Sequence, residues 1–149
     1  YVSRVAMDMA ELLAIINGGK RKRELDLNYL VLRLPTPEIK TLTILPELNL
    51  CGNRLKRIPA EIGQLTALTS LNLACNHRTA LPPQIGDLTG LTDVFLNGNQ
   101  LTGTPVTLCQ LTKLKELNLS DNLLTVIPSC MAELIDRGVV DFSGNPLRG

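Results

Sequence analysis

At 149 residues the chain is long enough to bury a real core as one domain. Hydrophobic residues make up 44% of it, yet it has two Phe, two Tyr and no Trp, so leucine must fill the interior in many similar layers. A formal net charge of +1 gives no global field for nucleic acid or a membrane surface, and no apolar run reaches the roughly 18 residues that a membrane-spanning helix needs.

The first predicted element is a helix within residues 1–19. Val5, Met9, Leu12, Leu13 and Ile16 recur at helical spacing, and Asn17-Gly18-Gly19 supplies a stop. Asp8 and Glu11 lie toward its start and Lys20 follows its end, as the helix dipole favours. Asp8 and Glu11 also interrupt the apolar stretch, and no signal-peptide cleavage pattern follows it. The helix is read as a cap, its methionines as core. Residues 20–44 come next: a solvated basic linker, Lys20-Arg21-Lys22-Arg23, then an irregular copy of the repeat, Leu25-x-Leu27 through Leu34-Pro35, with Leu30 where asparagine stands in later copies.

Four regular repeats are predicted over residues 45–136. Asn53, Asn76, Asn99, Asn122 and Asn145 fall 23 residues apart, and the same word surrounds each. Leu45-x-x-Leu48-x-Leu50-x-x-Asn53 becomes Leu68-x-x-Leu71-x-Leu73-x-x-Asn76, then Leu91-x-x-Val94-x-Leu96-x-x-Asn99 and Leu114-x-x-Leu117-x-Leu119-x-x-Asn122. The second halves repeat as well: Ile58-Pro59, Leu81-Pro82, Thr104-Pro105 and Ile127-Pro128 precede Ile62, Ile85, Leu108 and Met131. A weaker copy, Val140-x-Phe142-x-x-Asn145, occupies a partial repeat or cap at 137–149, after Ala132 to Gly138 loses the Leu-Thr cadence of Leu65-Thr66 and Leu88-Thr89.

This pattern resembles leucine-rich repeats, in particular the 23-residue subclass of intracellular Ras-associated scaffold proteins and many bacterial proteins, over roughly Leu25 to Leu147. The fold class that follows is an α/β solenoid: short parallel strands on the concave face, an irregular or 3-10 convex side and an N-terminal capping helix. The resemblance implies that Asn53, Asn76, Asn99, Asn122 and Asn145 point inward as a ladder that hydrogen-bonds turn backbone. Residue chemistry agrees, because period-two alternation puts Leu48 and Leu50 on one face of a short strand, and one coil cannot bury that face alone. Two residues depart from the pattern. Arg78 stands where Leu55, Leu101, Leu124 and Leu147 stand, so its stem is expected on the core and its head in solvent. Thr104 replaces Ile or Leu, as a tolerated substitution.

The sequence offers no catalytic site. His77, an exposed turn residue on this reading, is the single histidine, and no phosphate-binding glycine loop is present. Four cysteines, Cys51, Cys75, Cys109 and Cys130, are spaced by 24, 34 and 21 residues, which matches no zinc pattern. They are read as thiols in a reducing compartment, with no metal and no cofactor.

Register then defines an outward map. The first position beside the strand leucines runs Glu24, Glu47, Ser70, Asp93, Glu116, Val139; the second runs Asp26, Asn49, Asn72, Phe95, Asn118, Asp141; the third runs Asn28, Cys51, Ala74, Asn97, Ser120, Ser143. These positions hold six carboxylates and no Lys or Arg. Acids on an exposed sheet serve solubility, or else they form a docking face for a basic protein segment with Phe95 as anchor. The candidate site is Glu47, Asn49, Asn72, Asp93, Phe95, Asn97, Glu116 and Asn118. A non-enzymatic recognition module is expected: a monomer that binds protein, not nucleic acid or membrane. A cytoplasmic location is expected, with a bacterial effector delivered into a host cell as a variant. The alternative is the substrate-targeting domain of a larger enzyme, such as a bacterial ubiquitin-ligase effector; an extracellular receptor fragment is a third option.

Overall fold

A computed structural model describes residues 45–52, 58, 60–76 and 80–148. The capping helix, the basic linker, the irregular first copy, Asn53, His77 and Arg78 lie outside the described residues.

Each described coil opens on a strand of two or three residues: β1 (Glu47–Asn49), β2 (Ser70–Asn72), β3 (Asp93–Phe95), β4 (Glu116–Asn118) and β5 (Val140–Asp141). All pair parallel in the order β1-β2-β3-β4-β5, and every partner is 23 residues away, as in Leu48 with Leu71, Val94 with Leu117 and Leu117 with Val140. Parallel strands need a crossover, and here a 3-10 segment on the opposite side supplies it: Ala60–Gln64, Pro83–Asp87, Val106–Gln110 and Ser129–Met131. The latter three each follow a proline in extended conformation, whose fixed φ turns the chain into the segment.

The core is a set of rows, one residue per coil. Leu48, Leu71, Val94 and Leu117 form one; Leu50, Leu73, Leu96 and Leu119 a second; Ile62, Ile85, Leu108 and Met131 close it from the convex side, all buried. Such rows bury apolar surface only between neighbours, so the repeat interfaces carry the stability. The last coil departs from the sequence reading in an instructive way. Although the Leu-Thr cadence is gone, a short helix, α1 (Ala132–Asp136), keeps Leu134 buried in the row of Leu65, Leu88 and Leu111. Arg137 takes the slot of Leu45, Leu68, Leu91 and Leu114; its guanidinium donates to the Leu114 carbonyl at 2.9 Å and lies 3.9 Å from Glu133.

The cysteine reading is corrected here. Cys109 and Cys130 form a disulfide, with Cα atoms 6.0 Å apart. They lie on successive 3-10 segments at positions 21 residues apart, so the bond runs diagonally between coils. Spacing rules for zinc or local cysteine pairs do not test that geometry, because coil stacking creates the contact.

Candidate interaction face

The concave sheet is assembled by two hydrogen-bond systems at the strand ends. Backbone amides step from coil to coil, Leu50 to the Asn72 carbonyl (2.8 Å), Leu73 to Phe95 (2.8 Å), Leu96 to Asn118 (2.9 Å) and Leu119 to Asp141 (2.9 Å). Below them, Asn76, Asn99, Asn122 and Asn145 each donate through Nδ2 to the carbonyl three residues back and to the corresponding carbonyl of the preceding coil. Asn99 reaches Leu96 and Leu73, both at 3.0 Å, and Asn122 reaches Leu119 at 3.1 Å and Leu96 at 3.0 Å. Leu73, Leu96 and Leu119 carbonyls therefore each accept from two asparagines. On the acceptor side, Oδ1 of Asn122 and Asn145 take the amides of Leu101 and Leu124.

The residue before each asparagine is left-handed: Gly52 (φ 72°), Cys75 (58°), Gly98 (70°), Asp121 (55°) and Gly144 (74°). Glycine suits this conformation and Asp tolerates it, whereas Cys75 adopts it against its side chain's preference.

On this frame the outward positions form three columns. Glu47, Ser70, Asp93 and Glu116 stack in register, with Glu47 and Glu116 exposed and the two between half-buried. Asp93 is oriented by the Thr92 hydroxyl, which donates to its Oδ2 at 2.9 Å. Of the six mapped carboxylates, Glu47, Asp93, Glu116 and Asp141 fall among the described residues. Lys115, exposed beside Glu116, borders the column and with Gly138 to Asp141 lines a shallow hollow at the β4–β5 end.

The second column has a structural role that the sequence did not reveal. Oδ1 of Asn49, Asn72, Asn118 and Asp141 accepts the amide two residues on, from Cys51 (3.1 Å), Ala74 (3.0 Å), Ser120 (3.0 Å) and Ser143 (2.9 Å). These side chains pin the turn, as Asx residues do. The hydrogen bonds from Ser143, backbone and then side chain, hold the Asp141 carboxyl below its ordinary pKa. Phe95 occupies this column between Asn72 and Asn118 and has no oxygen for that task.

Three features of the outward map are corrected. Ala74 (4% exposed) and Ser120 (9%) are buried, because the chain already bends into the turn at the third position. Val139 (8%) is buried too, where the chain leaves α1 for β5. Phe95 is half-buried instead of fully exposed; Asn97 is half-buried beside it. Glu47, Asn49, Asn72, Asp93, Phe95, Asn97, Glu116 and Asn118 thus share the strand-and-turn face of β1 to β4. Among the described residues no His, Cys, Asp and Glu group is arranged to hold a metal ion.

A family model described as "Leucine rich repeat" matches residues 43–101 and 66–124. Among solved structures, a leucine-rich repeat protein of Leptospira interrogans is similar at 33% identity and TM-score 0.67, over 76% of this chain and 29% of its own. The leucine-rich repeat ectodomain of the receptor kinase SOBIR1 from Arabidopsis thaliana is similar at 31% identity and TM-score 0.63, over 75% of this chain and 63% of its own. The chain thus spans less than two thirds of either relative. No curated protein matches it.

Proposed function

Because the chain belongs to the leucine-rich repeat family, whose domains are generally protein-interaction modules and typically not catalytic, we propose that it binds a protein partner through the concave face of β1 to β4. The partner's contacting segment is basic, and the complex forms around Phe95.

One observation carries this reading. The other described residues of that column, Asn49, Asn72, Asn118 and Asp141, place a side-chain oxygen on a turn amide, and Phe95 alone gives up that bond for a ring, next to the column that holds Asp93 and Glu116. A neutral turn-pinning bond is worth about 1 kcal/mol. Solubility alone would be served by Asn, whereas an aromatic among acids suits an anchor with charged neighbours that steer a basic partner. Titration with a lysine- and arginine-rich peptide tests it. Phe95→Ala is expected to weaken binding by more than about 1 kcal/mol, a factor of about five. Unchanged affinity in a folded variant removes Phe95 from the site.

The constant 23-residue period supports the Ras-group and bacterial subclass over others. The lengths of the two relatives support a second reading, a recognition segment working within a larger protein. For location, the expectation of a reducing cytoplasm rested on unpaired cysteines. The Cys109–Cys130 bond supports an oxidising compartment instead, since disulfides persist there and are rare in the cytosol.

A further inference from the structure

Cys51 and Cys75 stay outside the disulfide, and they are neighbours. Cys51 lies just past β1, and the register that pairs Asn49 with Asn72 sets it against Ala74, one residue short of Cys75. The amides of Leu50 and Gly52, donating to the carbonyls of Asn72 (2.8 Å) and Ala74 (3.0 Å), hold the two coils together on either side of Cys51. Cys75 follows the residue set against Cys51, so the two cysteines stand one step apart on adjacent coils.

Cys75 is exposed and Cys51 half-buried. Burial, with the neighbouring Cys75 adding to it, pushes the Cys51 thiol above its ordinary pKa. A separate observation concerns the place Cys75 holds. Its left-handed position belongs to glycine in three of the other four described coils, and a side chain there is disfavoured. Gly98, on the next coil, keeps the space beside the sulfur clear: a Cβ at Gly98 would stand 3.2 Å from the Cys75 Sγ.

We propose that Cys51 and Cys75 form a thiol–disulfide exchange site at the edge of the concave face, oxidised reversibly by a small soluble disulfide of the glutathione class. Cys75, as thiolate, attacks one sulfur of the small disulfide. That bond breaks, one small thiolate leaves, and Cys75 carries the mixed disulfide. Cys51 then loses its proton to water and attacks the Cys75 sulfur, expelling the second small thiolate. Two protein thiols become one disulfide while one small disulfide becomes two thiols. The accessible sulfur attacks and the shielded one resolves. The bond ties the turn past Asn49 to the turn past Asn72, and an excess of small dithiol reopens it.

The test incubates the full chain, folded, with oxidised glutathione, then quenches, alkylates and digests with trypsin. Cleavage after Arg54, Lys56, Arg57 and Arg78 leaves Cys51 and Cys75 on separate peptides. The expected product is those two peptides joined, with the protein lighter by two hydrogens. Cys51→Ser is expected to retain one glutathione on Cys75, and Cys75→Ser to stay unmodified over the same time. The wild-type map decides by itself. Glutathione on both cysteines, a link from either to Cys109 or Cys130, or no reaction overturns the proposal.

Discussion

At Thr104 the side-chain hydroxyl is buried with no hydrogen-bond partner, in the slot that Ile58, Leu81 and Ile127 fill on other coils. Thr104→Val keeps the shape and removes the stranded group, so the thermal midpoint should rise, by about 1 kcal/mol of stability. Cys75→Gly should also stabilise, by about 1 kcal/mol, because it relieves a left-handed residue that carries a side chain. Asn99→Ala moves the other way. It removes the donations to Leu96 and Leu73 and the acceptance from Asn76, at a cost of about 2 kcal/mol or more in denaturant unfolding. The asparagine ladder was legible because the period is strict and the residue type repeats. The burial of Ala74, Ser120 and Val139 was not, since alternation predicts sides only while the chain is extended, and the turn and α1 end that regime. Nor did the sequence distinguish Asn49, Asn72 and Asn118 as turn-pinning residues from residues open to a partner.

Between elements, two contacts stiffen the end of the stack. The Cys109–Cys130 bond closes a loop of 21 residues across consecutive 3-10 segments. On loop-entropy grounds, losing it costs about 3 kcal/mol, so paired Cys109→Ser and Cys130→Ser replacement should lower the denaturation midpoint well below wild type. β5 is one of the two edge strands among those described, and Asp141 pins its turn through Ser143. Its folded-state pKa lies below its unfolded value, so its contribution is present above the ordinary Asp range and is lost as pH falls through the depressed folded value. Asp141→Asn keeps the oxygen and removes the charge, as at Asn49, Asn72 and Asn118. Comparing thermal melts from neutral to acid pH should show a smaller acid-side loss in the variant than in wild type. Sequence spacing gave the strand word and a 3-10 or irregular convex side, but it did not foresee α1 or the disulfide, which needs the coils stacked before its ends meet.

For the whole molecule, a constant 23-residue step stacks equivalent chain positions in columns across β1 to β4. Glu47, Asp93 and Glu116 stand in one column and Phe95 in the next, while Lys113, Lys115, Arg137 and Arg148, the described cations, lie outside these two columns. If the proposed face steers a basic partner, that steering should weaken with salt, whereas the ring's share should persist. The most direct measurement is a calorimetric titration of a lysine- and arginine-rich peptide, at low and physiological ionic strength, into wild type and a Glu47→Lys, Asp93→Lys, Glu116→Lys variant. Salt-sensitive binding to wild type is expected, with a loss of at least about tenfold, or 1.4 kcal/mol, in the folded variant. Equal binding by both proteins would contradict that expectation.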